Sequence, residues 1–146
     1  MTRLAKRELD AWRAFLGAHA RITRRINRDL AEAGLPDLSW YDALYALHEA
    51  DGRRLRVSEV ADAVVLSPTG TSRFVDRLER EGLVRREAVA GDRRALHVVL
   101  TDAGRDLLGR MWPVYSAGIA AYFASGLNPE AGRALHAIAD GLRSPP

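Results

Sequence analysis

Three features of the sequence predict a mainly helical α+β fold. Long helical stripes stand at both ends of the chain, a Ser67-Pro68 pair opens a short amphipathic stretch near its middle, and two β-like runs follow around a charged segment. Serine is a favoured N-cap and proline suits the first helical position, so a helix is predicted to start at Pro68. Its apolar positions Thr71, Phe74, Val75 and Leu78 recur at steps of three and four, while Thr69, Ser72, Arg73, Asp76 and Arg80 fall on the opposite side. Gly82 stands where a left-handed cap is wanted, which stops that helix near Glu81. Just upstream, Ser58 precedes a shorter helical run with Val60, Ala61 and Val64 on one face. Downstream, residues 83–89 and 95–100 are rich in valine and leucine and are separated by Ala90, Gly91, Asp92, Arg93 and Arg94. Two helices about a tight turn, followed by a hairpin with a charged tip, make a winged helix-turn-helix lobe. In such a lobe the second helix enters a major groove and the tip follows the duplex backbone.

The flanking elements follow from periodicity and caps. Residues 4–33 predict one long helix with Trp12, Leu16, His19, Ile22, Ile26 and Leu30 at helical spacing and Phe15 beside them, closed by Gly34-Leu35-Pro36. Arg21, Arg24, Arg25 and Arg28 crowd its second half, more as a solvated face than as a direct DNA contact. Ser39 and Asp42 suggest a capping box for a helix carrying Tyr41, Leu44, Tyr45, Leu47 and His48, which Asp51-Gly52 ends. Residues 54–57 are expected to add a short strand to the wing. Residues 101–125 predict a fifth helix capped by Thr101, with Leu107, Leu108, Met111, Val114, Tyr115, Ile119 and Tyr122 apolar and a kink at Pro113. Asn128-Pro129 opens a last helix with a stripe of Leu135, Ile138 and Leu142.

Composition narrows the function. With 146 residues, 47% hydrophobic and 28% charged, the chain has the makeup of one globular domain. No apolar run is long enough for a membrane span and the N-terminus lacks a signal-peptide core, so a cytoplasmic location is expected. The absence of cysteine rules out a disulfide framework and a thiol redox switch. Of the 22 basic residues only Lys6 is lysine, and arginine suits forked recognition of phosphate or guanine, although genome composition enriches it equally well. His19, His48, His97 and His136 are scattered, without metal-ligand spacing, and neither a phosphate-cradling glycine loop nor a nucleophile elbow occurs. The acids Asp76, Glu79 and Glu81 are interleaved with arginines, which favours surface pairing over a catalytic dyad. An enzyme is therefore not expected, nor a cofactor or metal.

The order Ser67 to Arg73, then Arg77-Leu78-Glu79-Arg80-Glu81-Gly82-Leu83-Val84, Asp92-Arg93-Arg94 and Leu100-Thr101-Asp102-Ala103-Gly104, resembles the MarR family of transcriptional regulators. The resemblance covers almost the whole chain. It implies a homodimer whose terminal helices (residues 4–33 and 102–143) intertwine, each subunit setting one winged lobe (residues 39–101) on double-stranded DNA. It also implies that Asp92 braces the wing and that Arg94 enters the minor groove.

Chemistry suggests the remaining DNA-contact roles. Arg73, facing outward, has the fork for guanine, whereas Ser67, Thr69, Gly70 and Ser72 are short enough to bring the helix start against phosphates or base edges. Arg77 lies on the flank, where a phosphate or a carboxylate such as Glu81 would be its partner, and Arg93 shares the charged tip. The expected function is sequence-specific regulation of transcription, as a ligand-responsive repressor on a pseudopalindromic operator. The alternative is a sequence-neutral architectural protein, which would have less need of the short-side-chained helix start. For the effector, a small aromatic or phenolic ligand is expected, an anionic one stacking on Trp12 or Trp40 with its charge held by His19 or an arginine. Trp12, Phe15, His19, Trp40, Tyr45 and Trp112 are the candidate lining, though aromatics on apolar stripes are more often plain core.

Overall fold

The computed structural model describes residues 3–64 and 68–143, with the side chains of Pro68, Thr69 and Arg93 left aside. The elements run α1 (Lys6–Glu32), α2 (Leu38–Glu49), a 3-10 turn (Asp51–Arg53), β1 (Arg54–Arg56), α3 (Val57–Val64), α4 (Pro68–Arg80), β2 (Val84–Val89), β3 (Asp92–Leu100), α5 (Asp102–Tyr122), a second 3-10 turn (Ala124–Gly126) and α6 (Pro129–Gly141). The strands form one antiparallel sheet in the order β1-β3-β2. The mainly helical α+β architecture with a three-stranded wing is the one the sequence predicts.

One core joins the lobe to the long helices. Ile26 and Leu30 of α1, Leu44 and Leu47 of α2, Val60 of α3, Phe74, Val75 and Leu78 of α4, Val84 and Val98 of the sheet, and Leu107, Leu108 and Met111 of α5 are all buried in it. The three-and-four spacing seen in α4 is therefore its core stripe, with Thr71 buried alongside.

Backbone groups at the helix ends are satisfied by short polar side chains, and two of these ends differ from expectation. The cap of α2 is Asp37 rather than Ser39: its carboxylate accepts the Ser39 N–H at 2.9 Å, and the helix already starts at Leu38. The Leu38 N–H donates to the Asn27 side chain at 2.9 Å, which ties α2 to α1. Likewise α3 starts at Val57, so Ser58 lies inside its first turn, and the Glu59 carboxylate accepts the Arg56 N–H at 2.9 Å. Ser67, expected to cap α4, lies outside the described residues. α5 is one helix on both sides of Pro113 and ends at Tyr122, three residues short of the expected boundary. Asn128 caps α6, accepting from the Ala131 N–H at 2.8 Å.

The junction between α4, the wing and α5 is held by residues of the sequence signature. The Thr101 hydroxyl donates to the Gly82 carbonyl at 2.7 Å and accepts from the Gly104 N–H at 3.1 Å, while the Thr101 N–H donates to the Leu83 carbonyl at 3.1 Å. Gly82 has a φ of 73°, the left-handed conformation that glycine adopts without a Cβ clash. Gly104 is needed for space: a Cβ there would stand 2.3 Å from the Leu83 carbonyl oxygen and 2.6 Å from the Leu100 side chain. A similar close approach occurs where α5 crosses α1, since a Cβ on Gly118 would meet Ile26 at 2.6 Å. Beside that crossing the Tyr122 hydroxyl donates to Asp29 at 2.7 Å, and the Arg25 guanidinium lies 5.5 Å from the centre of the Tyr122 ring. The acceptor carboxylate, with burial, pushes the Tyr122 phenol up from its ordinary value.

Candidate nucleic-acid interface

The buried stripe of α4 fixes which side of the helix faces outward. Ser72, Arg73, Asp76, Arg77, Glu79 and Arg80 are exposed, and Gly70 is half-buried near the helix start. Among the described residues Arg73 forms no ion pair, so its guanidinium is available to a ligand. Arg77 lies with its guanidinium 5.5 Å from the centre of the Phe74 ring, a cation–π contact; of the two partners expected for it, a phosphate or a carboxylate such as Glu81, no carboxylate pairs with it among the described residues. The acids of α4 do pair, though not with their helical neighbours.

Their partner is Arg86 of β2, which the sequence did not single out. Its guanidinium reaches Asp76 at 2.7 Å and Glu79 at 2.9 Å, and lies 3.5 Å from the Ser72 carbonyl. Its backbone N–H donates to the second Glu79 oxygen at 2.8 Å. One half-buried arginine thus grips the outward helix at three levels and fixes it against the wing. The signal was present in the strand's period of two. Arg85 and Arg86 must point to opposite faces, and Arg85 goes with Glu87 on the far face, at 2.8 Å. Glu87 also lies 3.5 Å from Arg54 of β1. Its hydrogen bond from Arg85, then the charges of Arg85 and Arg54, hold its carboxyl below the usual range against a smaller opposing effect of desolvation.

The tip of the wing is tighter than expected. β3 begins at Asp92 rather than at residue 95, so Asp92, Arg93 and Arg94 belong to the strand and the turn is only Ala90-Gly91. Gly91 permits this with a φ of 81°, bringing Val89 opposite Asp92, and the register shifts between Ala88 and Val89 to absorb the extra residues of β3. The Asp92 carboxylate accepts the Arg94 N–H at 2.9 Å, a local brace that leaves the Arg94 side chain exposed.

The six candidate ligand-lining residues do not meet in one place. Phe15 and His19 line an open apolar cavity of about 550 Å³ between α1 and α6, with Ile22, Phe123 and Leu135. Tyr45 and Trp112 line a second cavity, also about 550 Å³, with Tyr41, Asp42, Tyr115 and Ile119. Trp12 packs on Phe15, ring centres 6.1 Å apart, and Trp40 packs edge-on against Phe74 at 6.2 Å as part of the core margin. Trp40 is thus core, as aromatics on apolar stripes usually are. The sequence reading missed Tyr41 and Tyr115, whose spacing of four from Tyr45 and three from Trp112 puts each pair on one helical face. Among the described residues no three acids or histidines converge where they could hold a metal ion, and no helix is long and apolar enough to cross a membrane.

Comparison with known proteins gives the same picture. The MarR family profile matches residues 33–95. The fold superposes with a TM-score of 0.81 on AbsC, a MarR family transcriptional regulator from Streptomyces coelicolor, at 34% identity over 98% of this chain and 99% of that one. Sco3205, from the same organism and solved in complex with DNA, superposes equally well at 31% identity over 99% of this chain and 92% of its own. The transcriptional repressor MprA of Escherichia coli K12 is 27% identical over 106 residues, which are 73% of this chain and 60% of MprA. A shared profile, full-length likeness to AbsC and a winged lobe built from the signature residues lead to one conclusion: the chain belongs to the MarR family of transcriptional regulators.

Proposed function

We propose that this regulator is a sequence-specific repressor that binds a pseudopalindromic operator as a homodimer and is released by a small organic ligand. The observation that carries the reading is the contrast on α4 between Arg73, exposed and unpaired among the described residues, and the acids beside it, which Arg86 pairs with and holds. A helix so anchored offers one forked cation to a base edge at a fixed position, as direct readout requires. Ser67, Thr69, Gly70 and Ser72 bring the helix start close to the duplex, Arg77 supports it at the flank, and Arg93 and Arg94, braced by Asp92, contact the backbone and minor groove from the wing. Residues 39–101 form the DNA-binding lobe and residues 4–33 and 102–143 the dimerisation helices. Exposed apolar side chains along those helices support the pairing. Two-fold symmetry then sets half-sites about 10 base pairs apart. Repression is in keeping with the likeness to MprA, and binding to DNA with the likeness to Sco3205. Two open cavities, one against α1 and one against α5, are the candidate ligand sites.

The test separates helix from wing. Arg73→Ala is expected to cost roughly 1–3 kcal/mol per half-site and to relax specificity at one base pair. Arg94→Ala is expected to weaken all sequences alike and to flatten the salt dependence. Binding isotherms on operator and scrambled duplexes decide it. Equal losses on both duplexes for both variants would favour a sequence-neutral architectural protein instead.

A further inference from the structure

The cavity between α2 and α5 has a chemistry unlike the rest of the surface. Four of its six lining residues are Tyr41, Tyr45, Trp112 and Tyr115, and the only charged one is Asp42. The rings of Tyr45, Tyr41 and Trp112 lie roughly parallel, with centres 5.8 Å and 6.3 Å apart and planes inclined by 10° and 24°. Tyr115 stands edge-on to two of them, 4.9 Å from Tyr41 and 5.9 Å from Trp112. Tyr41 is buried, yet Tyr45 and Trp112 keep 46% and 50% of their surface exposed at the mouth. A cavity of about 550 Å³ bordered by such rings has the size of a small-molecule site.

The electrostatics select the occupant. Aromatic faces are negative and attract cations, most strongly when the cation is drawn out of water. Asp42 adds the one carboxylate of the lining on the same side, within electrostatic reach of Tyr41 and Tyr115. Burial and the neighbouring Asp37 push its carboxyl up from the ordinary range, as befits a carboxylate without a cation beside it, and among the described residues it has no ion pair. The arginines Arg21, Arg24, Arg25 and Arg28 border a separate opening on α1, so an anionic ligand here would meet Asp42 and, among the described lining residues, no compensating charge. We infer that the α2–α5 cavity binds an organic cation, an alkyl- or arylammonium group lying against Tyr45, Trp112 and Tyr115 with Asp42 as its counter-charge. This differs from the anionic aromatic ligand expected from sequence, and its regulatory consequence rests on the ligand-responsive reading above.

Three probes of similar shape test the inference on the full-length protein: benzyltrimethylammonium, its neutral carbon isostere neopentylbenzene, and para-tert-butylbenzoate. Calorimetry and tryptophan fluorescence are expected to show the cation binding roughly tenfold tighter than the neutral isostere and the carboxylate weakest. Asp42→Asn, a conservative change checked by an unaltered melting curve, should erase most of the cation's advantage and leave the neutral probe unaffected. Trp112→Leu should weaken the cation and remove its fluorescence signal. The inference is overturned if the carboxylate or the neutral probe binds as tightly as the cation, or if Asp42→Asn leaves the preference unchanged. Operator release, measured with the same probes, separates the two layers. Cation binding without release would retain the site and overturn the ligand-responsive reading, whereas release by the carboxylate with no cation binding would do the opposite.

Discussion

The winged lobe and the terminal helices of this chain solve their packing in different ways. In the lobe every predicted core residue of α4 is buried and the outward charges are tied across to the wing by Arg86. At the ends of the chain the apolar stripes are just as regular but remain open: Phe15 is 52% exposed, Ile138 66% and Leu142 82%, and no residue of α6 is buried. The same sequence signal, an amphipathic stripe, thus describes a finished core in one region and an uncovered face in the other. Hydrophobic periodicity says which side of a helix seeks apolar contact; it does not say whether the contact comes from the same chain. The open stripes belong to the helices proposed to dimerise, so pairing is expected to add stability to the one core that the lobe and the long helices share.

The largest expected effect tests that division directly. Phe15→Asp puts a charge into the uncovered stripe, where pairing with a second copy would have to bury it without a partner. Dimer formation at micromolar concentration should be lost, together with tight operator binding, while single-domain spectroscopic signatures of the wing persist. Light scattering with and without operator measures this. A variant that stays dimeric would place the pairing surface elsewhere and break the comparison.

Next in size are two glycines that play corresponding roles in the two regions. Gly104→Ala would press a methyl group against the Leu83 carbonyl, backbone that is itself held by Thr101, and is expected to cost about 3 kcal/mol. Gly118→Ala meets the Ile26 side chain instead, which has some freedom to shift, and about 1–2 kcal/mol is expected. Chemical denaturation of the two variants gives the ranking. The reverse order would mean that the α1–α5 crossing, not the α4–α5 junction, is the rigid seam.

How much of this was legible in the sequence follows the range of the interactions. Pro68, the stripe Thr71-Phe74-Val75-Leu78 and Gly82 act within one helix, and the structure shows the α4 stripe and its glycine end as read. The tip of the wing was misjudged by three residues, because the pairing of Val89 with Asp92 depends on a left-handed Gly91 and a register shift that composition does not reveal. Arg86 was passed over because its value lies in Asp76 and Glu79, which are near in space only after the strand packs on α4. The candidate cavity residues were scattered for the same reason: Tyr41 and Trp112 are 71 positions apart, yet their ring centres are 6.3 Å apart. Trp40 and Trp12, equally aromatic and equally placed on stripes, went to other neighbours.

Arg86→Met is the next step down. It keeps the unbranched stem of the side chain as far as the position of Nε and removes both ion pairs, leaving Asp76 and Glu79 as like charges one turn apart on α4. Both partners are substantially exposed, so solvent relieves much of the loss and about 1–2 kcal/mol of stability is expected. Operator affinity should fall more than stability does, because the two freed acids face the same side as Arg73 and repel phosphate. Denaturation and binding isotherms on the same preparation check this. Equal effects on the two would reduce Arg86 to a structural tie.

The smallest effect belongs to Glu87 on the far face of the wing, and its pH dependence sharpens what kind of tie the lobe uses. The hydrogen bond from Arg85, then the charges of Arg85 and Arg54, hold its carboxyl below the ordinary value of 4.5. A carboxyl that is more acidic in the folded chain than in the unfolded one adds stability above its unfolded value. That contribution disappears as the pH falls through the lowered folded value. Glu87→Gln should therefore lower the melting temperature by about a degree at neutral pH, and the two melting curves should converge in acid. Because all three side chains are well exposed, the neutral-pH difference should also shrink in molar salt. A difference that stays constant across both series would mean that Glu87 acts through packing rather than charge. A difference that varies with protein concentration would mean that this face of the wing takes part in pairing, and that lobe and terminal helices are not separable after all.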